Sequence, residues 1–571
     1  MKLTNRLLNE RSPYLQAHAK NPVHWQPWDE AALAAAREGR RPIFLSIGYA
    51  TCHWCHVMEK EVFENPELAA ILNAHFVSIK VDREERPDLD AYFQQAHSLF
   101  QRRPGGWPLS MFLTHEGKPF YAATYIPPVP RHGLPGFGDL VSLIAKRYRE
   151  AEDEVKEAAG ELTAALGRLA PKTAGGPLPG NLIEGFVQAA EAGFDSVDGG
   201  FGRAPKFPHH GALLLLGDLA ASGHEKVAKM LDFTLDKMAQ GGLYDLIDGG
   251  FCRYATDEAW HIPHFEKMTY DNALLAFVYA RAGKTAVARR TLEFMNRRMK
   301  EGDLFFSASD ADSEGGEGGY FVYDWAEGVA AGLDEATLRV LGFSKIGVFE
   351  GKNIARITGE LPPDRLQNAL EKLAQIRANR AYPFIDRKLI AAQNGMMVLA
   401  LLEAGGEFTA QGLATARAIK ARFWAGETLL HMAIDDHEAQ GAAFLDDYAW
   451  VLAAAIAAYE HSSDSGFLEW AAALAQQTLA RFFDQGRWRF SSGRFVTYAE
   501  AHDGSTPSCV GVMAQNLVRL FALSHDEKFR RFAQMTLQSH ARDLADRPFD
   551  HATLLRAALK ERASAYATIG G

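Results

Sequence analysis

Apolar positions form a nearly unbroken run along residues 42–49 (PIFLSIGY), which predicts a short strand buried on both faces. The period then changes. Over 53–63, Val57, Met58 and Val62 recur at helical spacing, so a helix follows the strand directly. A further helix around 66–74 leads to a second apolar strand at 76–81, and 108–113 with 119–125 read as a strand pair that closes the unit. Strands alternating with helices in this way make an α/β domain.

A long charged helix is expected from about residue 139 to 169. It runs into 171–180 (PKTAGGPLPG), where Pro and Gly are too dense for a helix to continue. The boundary falls there, giving a first domain of 1–170 with its connecting helix, a linker of 171–180 and a second domain of 181–571. In the second domain the pattern becomes one helix after another: 182–192, 210–221, 225–240, 270–282, 285–300, 394–404, 411–424, 448–461, 467–483, 510–523 and 527–541. The apolar helices starting near 210, 270, 394, 448 and 510 are separated by one or two multiples of roughly 55–60 residues, the mark of a helical-hairpin repeat. A sixth member is expected within 334–378. Six hairpins of alternating inner and outer helices close into an (α/α)6 toroid; an open helical solenoid is the alternative. The segments before the inner helices (204–209, 260–269, 384–393, 444–447 and 503–508) then line one mouth.

Composition adds limits. The 571 residues are enough for at least two cores, and 47% apolar with 23% charged residues describes a globular protein. A net charge of -10 disfavours phosphate backbones and anionic membranes, so neither is an expected partner. The first residues mix Lys2, Asn5, Arg6, Asn9 and Glu10 with short apolar pairs, unlike a signal peptide, and no later run approaches the roughly 18 apolar residues of a membrane span. A cytoplasmic location is expected. Only Cys52, Cys55, Cys252 and Cys509 are present, too few for a disulfide scaffold, and a close pair in a reducing compartment is catalytic or metal-binding.

That pair is Cys52-His53-Trp54-Cys55, set between the first strand and its helix, which is a thioredoxin-like arrangement. Cys52 falls at the helix N-terminus, where free amide N–H groups and the helix dipole stabilise a thiolate, so it is the expected nucleophile. Cys55, one turn on, is placed to resolve a mixed disulfide, and Trp107-Pro108 before a strand is the candidate cis-proline loop facing the pair. Cys52 to His56 also spells the c-type haem attachment motif, but that needs export. A zinc site from Cys52, Cys55 and His56 lacks an evident fourth ligand. No cofactor is therefore expected.

The segments 21–25 (NPVHW), 52–58, 80–87 (KVDREERP), 105–108 (GGWP), 199–208 (GGFGRAPKFP), 253–257, 263–275 (PHFEKMTYDNALL) and 310–314 (DADSE) together resemble the thioredoxin-domain proteins of the spermatogenesis-associated, YyaL-like type. The resemblance implies an N-terminal thioredoxin-like domain joined to an (α/α)6 toroid similar to N-acylglucosamine 2-epimerases and related glycoside-processing enzymes. Against the family pattern, Cys252 stands where a histidine is usual, Gln393 where tryptophan usually precedes Asn394, and Cys509-Val510 replace a small polar pair.

The toroid mouth is the second candidate site. Epimerase-type chemistry needs a base and an acid beside a carbonyl, and glycosidases need paired carboxyl groups. His264, Glu266 and Asp271 are the candidate catalytic groups. Arg253, Tyr254, Trp260, His261, Tyr270, Asp310, Asp312, Glu314, Asp386, Asn394, Asp446, Asp447 and Asp503 are candidate substrate contacts. The bland reading is that Asp271 and Asp447 are helix caps and DADSEG is polar loop filling, since Phe321 stands where a calcium loop needs its bidentate Glu. The sequence thus supports a thiol–disulfide oxidoreductase acting on a protein disulfide, a carbohydrate isomerase or hydrolase acting on a small sugar-like molecule, or a non-catalytic binding protein.

Overall fold

The computed structural model describes residues 3–131, 133–168, 175–492 and 497–569, with the side chains of 564–569 apart. The chain divides into two units, Met1–Lys172 with Ser491–Tyr498 and Thr173–Phe490 with Ala499–Gly571. The return of Ser491–Tyr498 to the first unit has no signal in the sequence, and residues 171–174 of the expected linker lie outside the described residues. Among the described residues no helix is long and apolar enough to cross a membrane.

In the first unit the elements run β1 (Gln26–Pro27), α1 (Glu30–Gly39), β2 (Ile43–Gly48), α2 (His53–Met58), α3 (Pro66–His75), β3 (Val77–Asp82), α4 (Pro87–Gln101), β4 (Leu109–Leu113), β5 (Pro119–Ala123), α5 (Phe137–Glu150) and α6 (Glu152–Arg168). The sheet order is β1-β3-β2-β4-β5, parallel for its first three strands and antiparallel for the rest. Alternation along β2 divides the core in two. Ile43, Leu45 and Ile47 pack with Ala36 of α1 and Phe93 of α4. Phe44 points the other way, with ring centroids 5.1 Å from Phe112, 5.8 Å from Phe137 and 5.9 Å from Trp25. Each such fully buried side chain stabilises the fold by about 1.5–3 kcal/mol. A one-turn helix at Pro13–Ala17 and the helices α1 and α4 lie where no element was expected, and the single helix expected over 139–169 is two, broken at the non-helical Ala151.

The second unit is a ring. Six inner helices, α8 (His210–Ala221), α10 (Thr269–Arg281), α15 (Ala391–Ala404), α17 (Leu445–Ser462), α19 (Cys509–Ser524) and α21 (Ala552–Ile569), each pack on the next, and α21 packs back on α8. That closure rules out the open solenoid. The helices α7 (Leu182–Gly193), α9 (Glu225–Gln240), α11 (Thr285–Arg298), α16 (Glu407–Phe423), α18 (Ser465–Phe482) and α20 (Glu527–Ser539) complete the hairpins. The sixth inner helix is α21 and not, as expected, within 334–378. That stretch instead joins α12 (Trp325–Ala330), α13 (Glu335–Val340) and α14 (Pro363–Arg377) around their own core of Tyr323, Leu338, Phe343, Ala369 and Leu373.

Short ribbons build the mouth at the N-terminal ends of the inner helices. Tyr254–Ala255 pairs with Pro263–His264, and Lys267–Met268, Ala308–Ser309 and Ile385–Asp386 form a three-stranded patch. Buried asparagines stitch these segments to the helices. The Asn272 side chain accepts from Phe251 N at 2.7 Å and donates to Phe251 O and Met268 O; Asn394 does the same with Phe305 N, Phe305 O and Ile390 O. An antiparallel stitch of this kind satisfies backbone groups that a two-residue strand leaves over.

Candidate functional site

The strand β2 ends on Gly48, and four residues later Cys52 caps α2, its Sγ accepting from Cys55 N at 3.3 Å. Cys52 and Cys55 are bonded as a disulfide with Cα atoms 5.2 Å apart, and both are buried. The helix continues through a π-turn at Glu59–Phe63, so a run of amide dipoles ends at Cys52. Leu109 pairs with Ile47, which brings the cis Trp107–Pro108 bond to the same end of the sheet. Trp107 is held there by its Nε1 donating to Asp90 Oδ1 at 2.9 Å and by the Arg83 guanidinium, 4.0 Å from its ring and 4.4 Å from that of Tyr49. His56 Nε2 lies 2.8 Å from Ala50 O, while Trp54 is half exposed against Tyr125.

Polar groups lie beneath the pair. A Cβ on Gly48 would sit 2.7 Å from Cys55 Sγ and still closer to the Tyr14 hydroxyl, so glycine is the residue that admits both. The Lys80 ammonium is enclosed by the rings of Phe63, Trp25 and Tyr14 at 4.3, 4.8 and 5.1 Å and donates to Ser46 Oγ at 3.2 Å. Burial pulls its pKa down to about 7, with Glu59 opposing. Glu59 is held by Asn21, whose other amide atom accepts from Trp25. Sequence reading found these segments only as a resemblance; their buried polar network was not visible.

At the toroid mouth, four charged groups form one line. Arg253 donates to Glu266 Oε1 at 3.1 Å, His264 Nε2 lies 3.1 Å from the same oxygen, and His264 Nδ1 lies 2.7 Å from Glu317 Oε1. Burial disfavours the imidazolium, but Glu266 and Glu317 outweigh it and raise His264 to about 9. Tyr254 stacks on His264 at 5.1 Å. The structure thus brings Arg253, Tyr254, His264 and Glu266 together. Glu317 completes the line and was missed, because the acidic loop folds as a ribbon in which Asp312 pairs with Glu317.

The other candidates are dispersed. Asp271 lies 3.4 Å from His210, whose burial drives its pKa down to about 3. Asp271 is the third residue of α10, whose start has no side-chain cap. Asp447 accepts from Phe444 N, Ala392 N and His431 Nδ1, a structural hub at the start of α17. Its neighbour Asp446 is raised to about 7 by burial and by Asp447. Asp503 accepts from Ser508 N and Thr553 N, joining α19 to α21. Asp386 pairs with Lys388 at 3.0 Å, Asp310 accepts from Asp312 N, and Tyr270 is buried at the start of α10. Trp260 is fully buried and donates to Asp198 O, so its ring is packing, while His261 is exposed and Glu314 lies on an outer cavity with Lys352 and Arg380. The Asn394 carboxamide is taken up by the stitch described above. Cys252 is buried, its thiol pushed up to about 12.

A family model, Thioredox_DsbH, described as a protein of unknown function, DUF255, matches residues 4–167. Spermatogenesis-associated protein 20 of Homo sapiens is 34% identical over 91% of this chain and 76% of its own length. The chain belongs to the spermatogenesis-associated protein 20 family. An uncharacterized Caenorhabditis elegans protein, B0495.5, is 33% identical over 93% of this chain and 82% of its own. The solved structure of cellobiose 2-epimerase from Spirochaeta thermophila overlays 67% of this member of the spermatogenesis-associated protein 20 family and 94% of its own chain, at 11% identity and a TM-score of 0.46.

Proposed function

We propose that this protein is a thiol–disulfide oxidoreductase, with Cys52 as nucleophile and Cys55 as resolving thiol. The observation that carries the reading is Cys52 at the N-cap of α2, bonded to Cys55 one turn into the same helix. In the reduced form the Cys52 thiolate attacks one sulfur of a partner disulfide; a mixed disulfide forms and the other partner sulfur leaves as a thiolate. Cys55, deprotonated, then attacks Cys52 Sγ, which frees the second partner thiolate and closes the pair, moving two electrons to the partner. The partner is a protein disulfide presented beside Trp107. Reduction of a model protein disulfide by the prereduced enzyme tests the reading. Wild type is expected to be active, Cys52→Ser inactive, and Cys55→Ser arrested as a mixed disulfide. Equal rates for all three would end the proposal.

A second reading is favoured by the Arg253–Glu266–His264–Glu317 line. An imidazolium held between the buried Glu266 and the partly exposed Glu317 is an acid suited to a small polyol or carbonyl substrate at the mouth. A thermal-shift screen of mono- and oligosaccharides would support it through stabilisation that Glu266→Gln removes. No stabilisation by any sugar would leave the oxidoreductase reading alone.

A further inference from the structure

Tyr14 stands behind the cysteine pair. It lies on the one-turn helix Pro13–Ala17, which Ser12 caps by accepting from Leu15 N at 3.2 Å while its hydroxyl donates to Asp82 Oδ2 at 2.6 Å. Three contacts fix the residue: Lys80 Nζ lies 5.1 Å from its ring centroid, the His18 ring packs on it at 4.9 Å, and His18 Nδ1 lies 2.9 Å from Tyr14 O. None of them uses the hydroxyl. Tyr14 is 1% exposed, and among the described residues its Oη has no hydrogen-bond partner of ordinary geometry, although Ser46 is close by.

Gly48 shows what the hydroxyl faces. A Cβ there would lie 2.7 Å from Cys55 Sγ and nearer still to Tyr14 Oη, so sulfur and hydroxyl are less than twice that distance apart, beside a residue that has no side chain. A buried hydroxyl left unpaired costs stability. A disulfide sulfur is a weak acceptor and a thiolate a strong one, so the bond that Tyr14 lacks in the oxidised pair becomes available once Cys55 is reduced. Burial, with Asp82 and Glu59 adding to it, raises the phenol well above its usual range, so the hydroxyl keeps its proton and acts as a donor.

We propose that the Tyr14 hydroxyl is the hydrogen-bond donor to the Cys55 thiolate and so activates the resolving cysteine, an inference that rests on the oxidoreductase reading. When Cys52 attacks, the partner sulfur that leaves as a thiolate takes up, through solvent, the proton that Cys55 releases. Tyr14 O–H then holds the Cys55 thiolate, which attacks Cys52 Sγ, forms the Cys52–Cys55 bond and expels the second partner sulfur as a thiolate. Tyr14 gives up no proton. The charged and titratable groups around the phenol are Lys80, Glu59, Asp82 and His18, and Tyr14→Phe keeps the ring against all four while removing the hydroxyl alone.

Two measurements test it. Ultraviolet absorbance of the thiolate, followed against pH in Cys52→Ser and in Cys52→Ser combined with Tyr14→Phe, titrates Cys55 without turnover, because burial raises Cys252 to about 12 and Cys509 well above an ordinary thiol. Loss of the hydroxyl should raise the Cys55 midpoint by about one pH unit, a tenfold loss of thiolate at neutral pH. Stopped-flow reaction of the prereduced two-cysteine protein with glutathione disulfide separates the two steps. Tyr14→Phe should form the mixed disulfide at the wild-type rate and resolve it about tenfold more slowly at neutral pH, with the difference closing at high pH. In wild type itself resolution should titrate no higher than about 8.5, where a buried thiol with no donor would titrate higher. A Cys55 midpoint that Tyr14→Phe leaves unchanged, or a wild-type midpoint well above the ordinary thiol value, would overturn the proposal. Absence of any mixed disulfide in wild type would instead end the oxidoreductase reading, with the thiolate titration still deciding whether Tyr14 meets Cys55.

Discussion

Replacing Glu317 by Gln keeps the side-chain shape and removes one of the two carboxylates on His264. The folded toroid holds the His264 proton more tightly than the unfolded chain does, with a pKa of about 9 against 6.5. At about 1.4 kcal/mol per pH unit, this one group makes the folded state about 3 kcal/mol more stable below pH 6.5 than above pH 9. The stability is complete below the unfolded value and drains away as pH rises through about 9. Lys560 acts in the opposite sense. Its pKa of about 7 lies below 10.5, so stability is gained between those values as the unfolded chain sheds its proton later than the folded one. The readout is therefore the difference in melting temperature between wild type and Glu317→Gln, measured from pH 6 to 10, which cancels Lys560. Loss of Glu317 should lower the His264 pKa by about one unit, worth about 1.4 kcal/mol. The variant is expected to melt lower near pH 6.5, with the difference closing above pH 9. A difference that stays constant across the range would refute the charged clamp.

Gly48→Ala should cost about 1–3 kcal/mol in denaturant unfolding of the first unit, because its Cβ meets Cys55 Sγ at 2.7 Å and the Tyr14 hydroxyl. Asp245→Asn leaves the buried cations Lys267 and Arg377, 2.8 Å from its carboxylate, without their counter-charge, and should cost about 3–5 kcal/mol by thermal unfolding while thiol reactivity at Cys52 is unchanged. Asn394→Ala should lower toroid stability by about 1–3 kcal/mol through the unpaired Phe305 and Ile390 backbone groups, with no effect on sugar binding at the mouth.

The elements legible in the sequence were those whose burial is one-sided or complete. Strand β2 showed as an apolar run and β3 by its alternating Val77, Ile79 and Val81, although every residue in both is buried. The helix α4 was legible but overlooked: after Pro87, Leu89, Tyr92, Phe93, Ala96 and Leu99 recur at helical spacing and pack on the core. The sixth inner helix was misplaced because α21 carries Arg556 and Lys560 into a cavity among the inner helices, so its inner face does not read as apolar. At the mouth, ribbons of two residues have no period to detect, so Glu317 could not be placed on His264 from spacing. The cysteine pair was legible because its chemistry depends on a local feature, a helix start, that neighbouring residues specify.

The pH dependence of Cys52 alkylation by iodoacetamide in the prereduced protein, with Cys55→Ser as the single-thiol reference and the cysteine identified by mass spectrometry, tests the central claim most directly. A nucleophile at the N-terminal end of a helix dipole should alkylate with an apparent pKa below about 7.5. A midpoint at about 8.5, the value of an ordinary thiol, would contradict it.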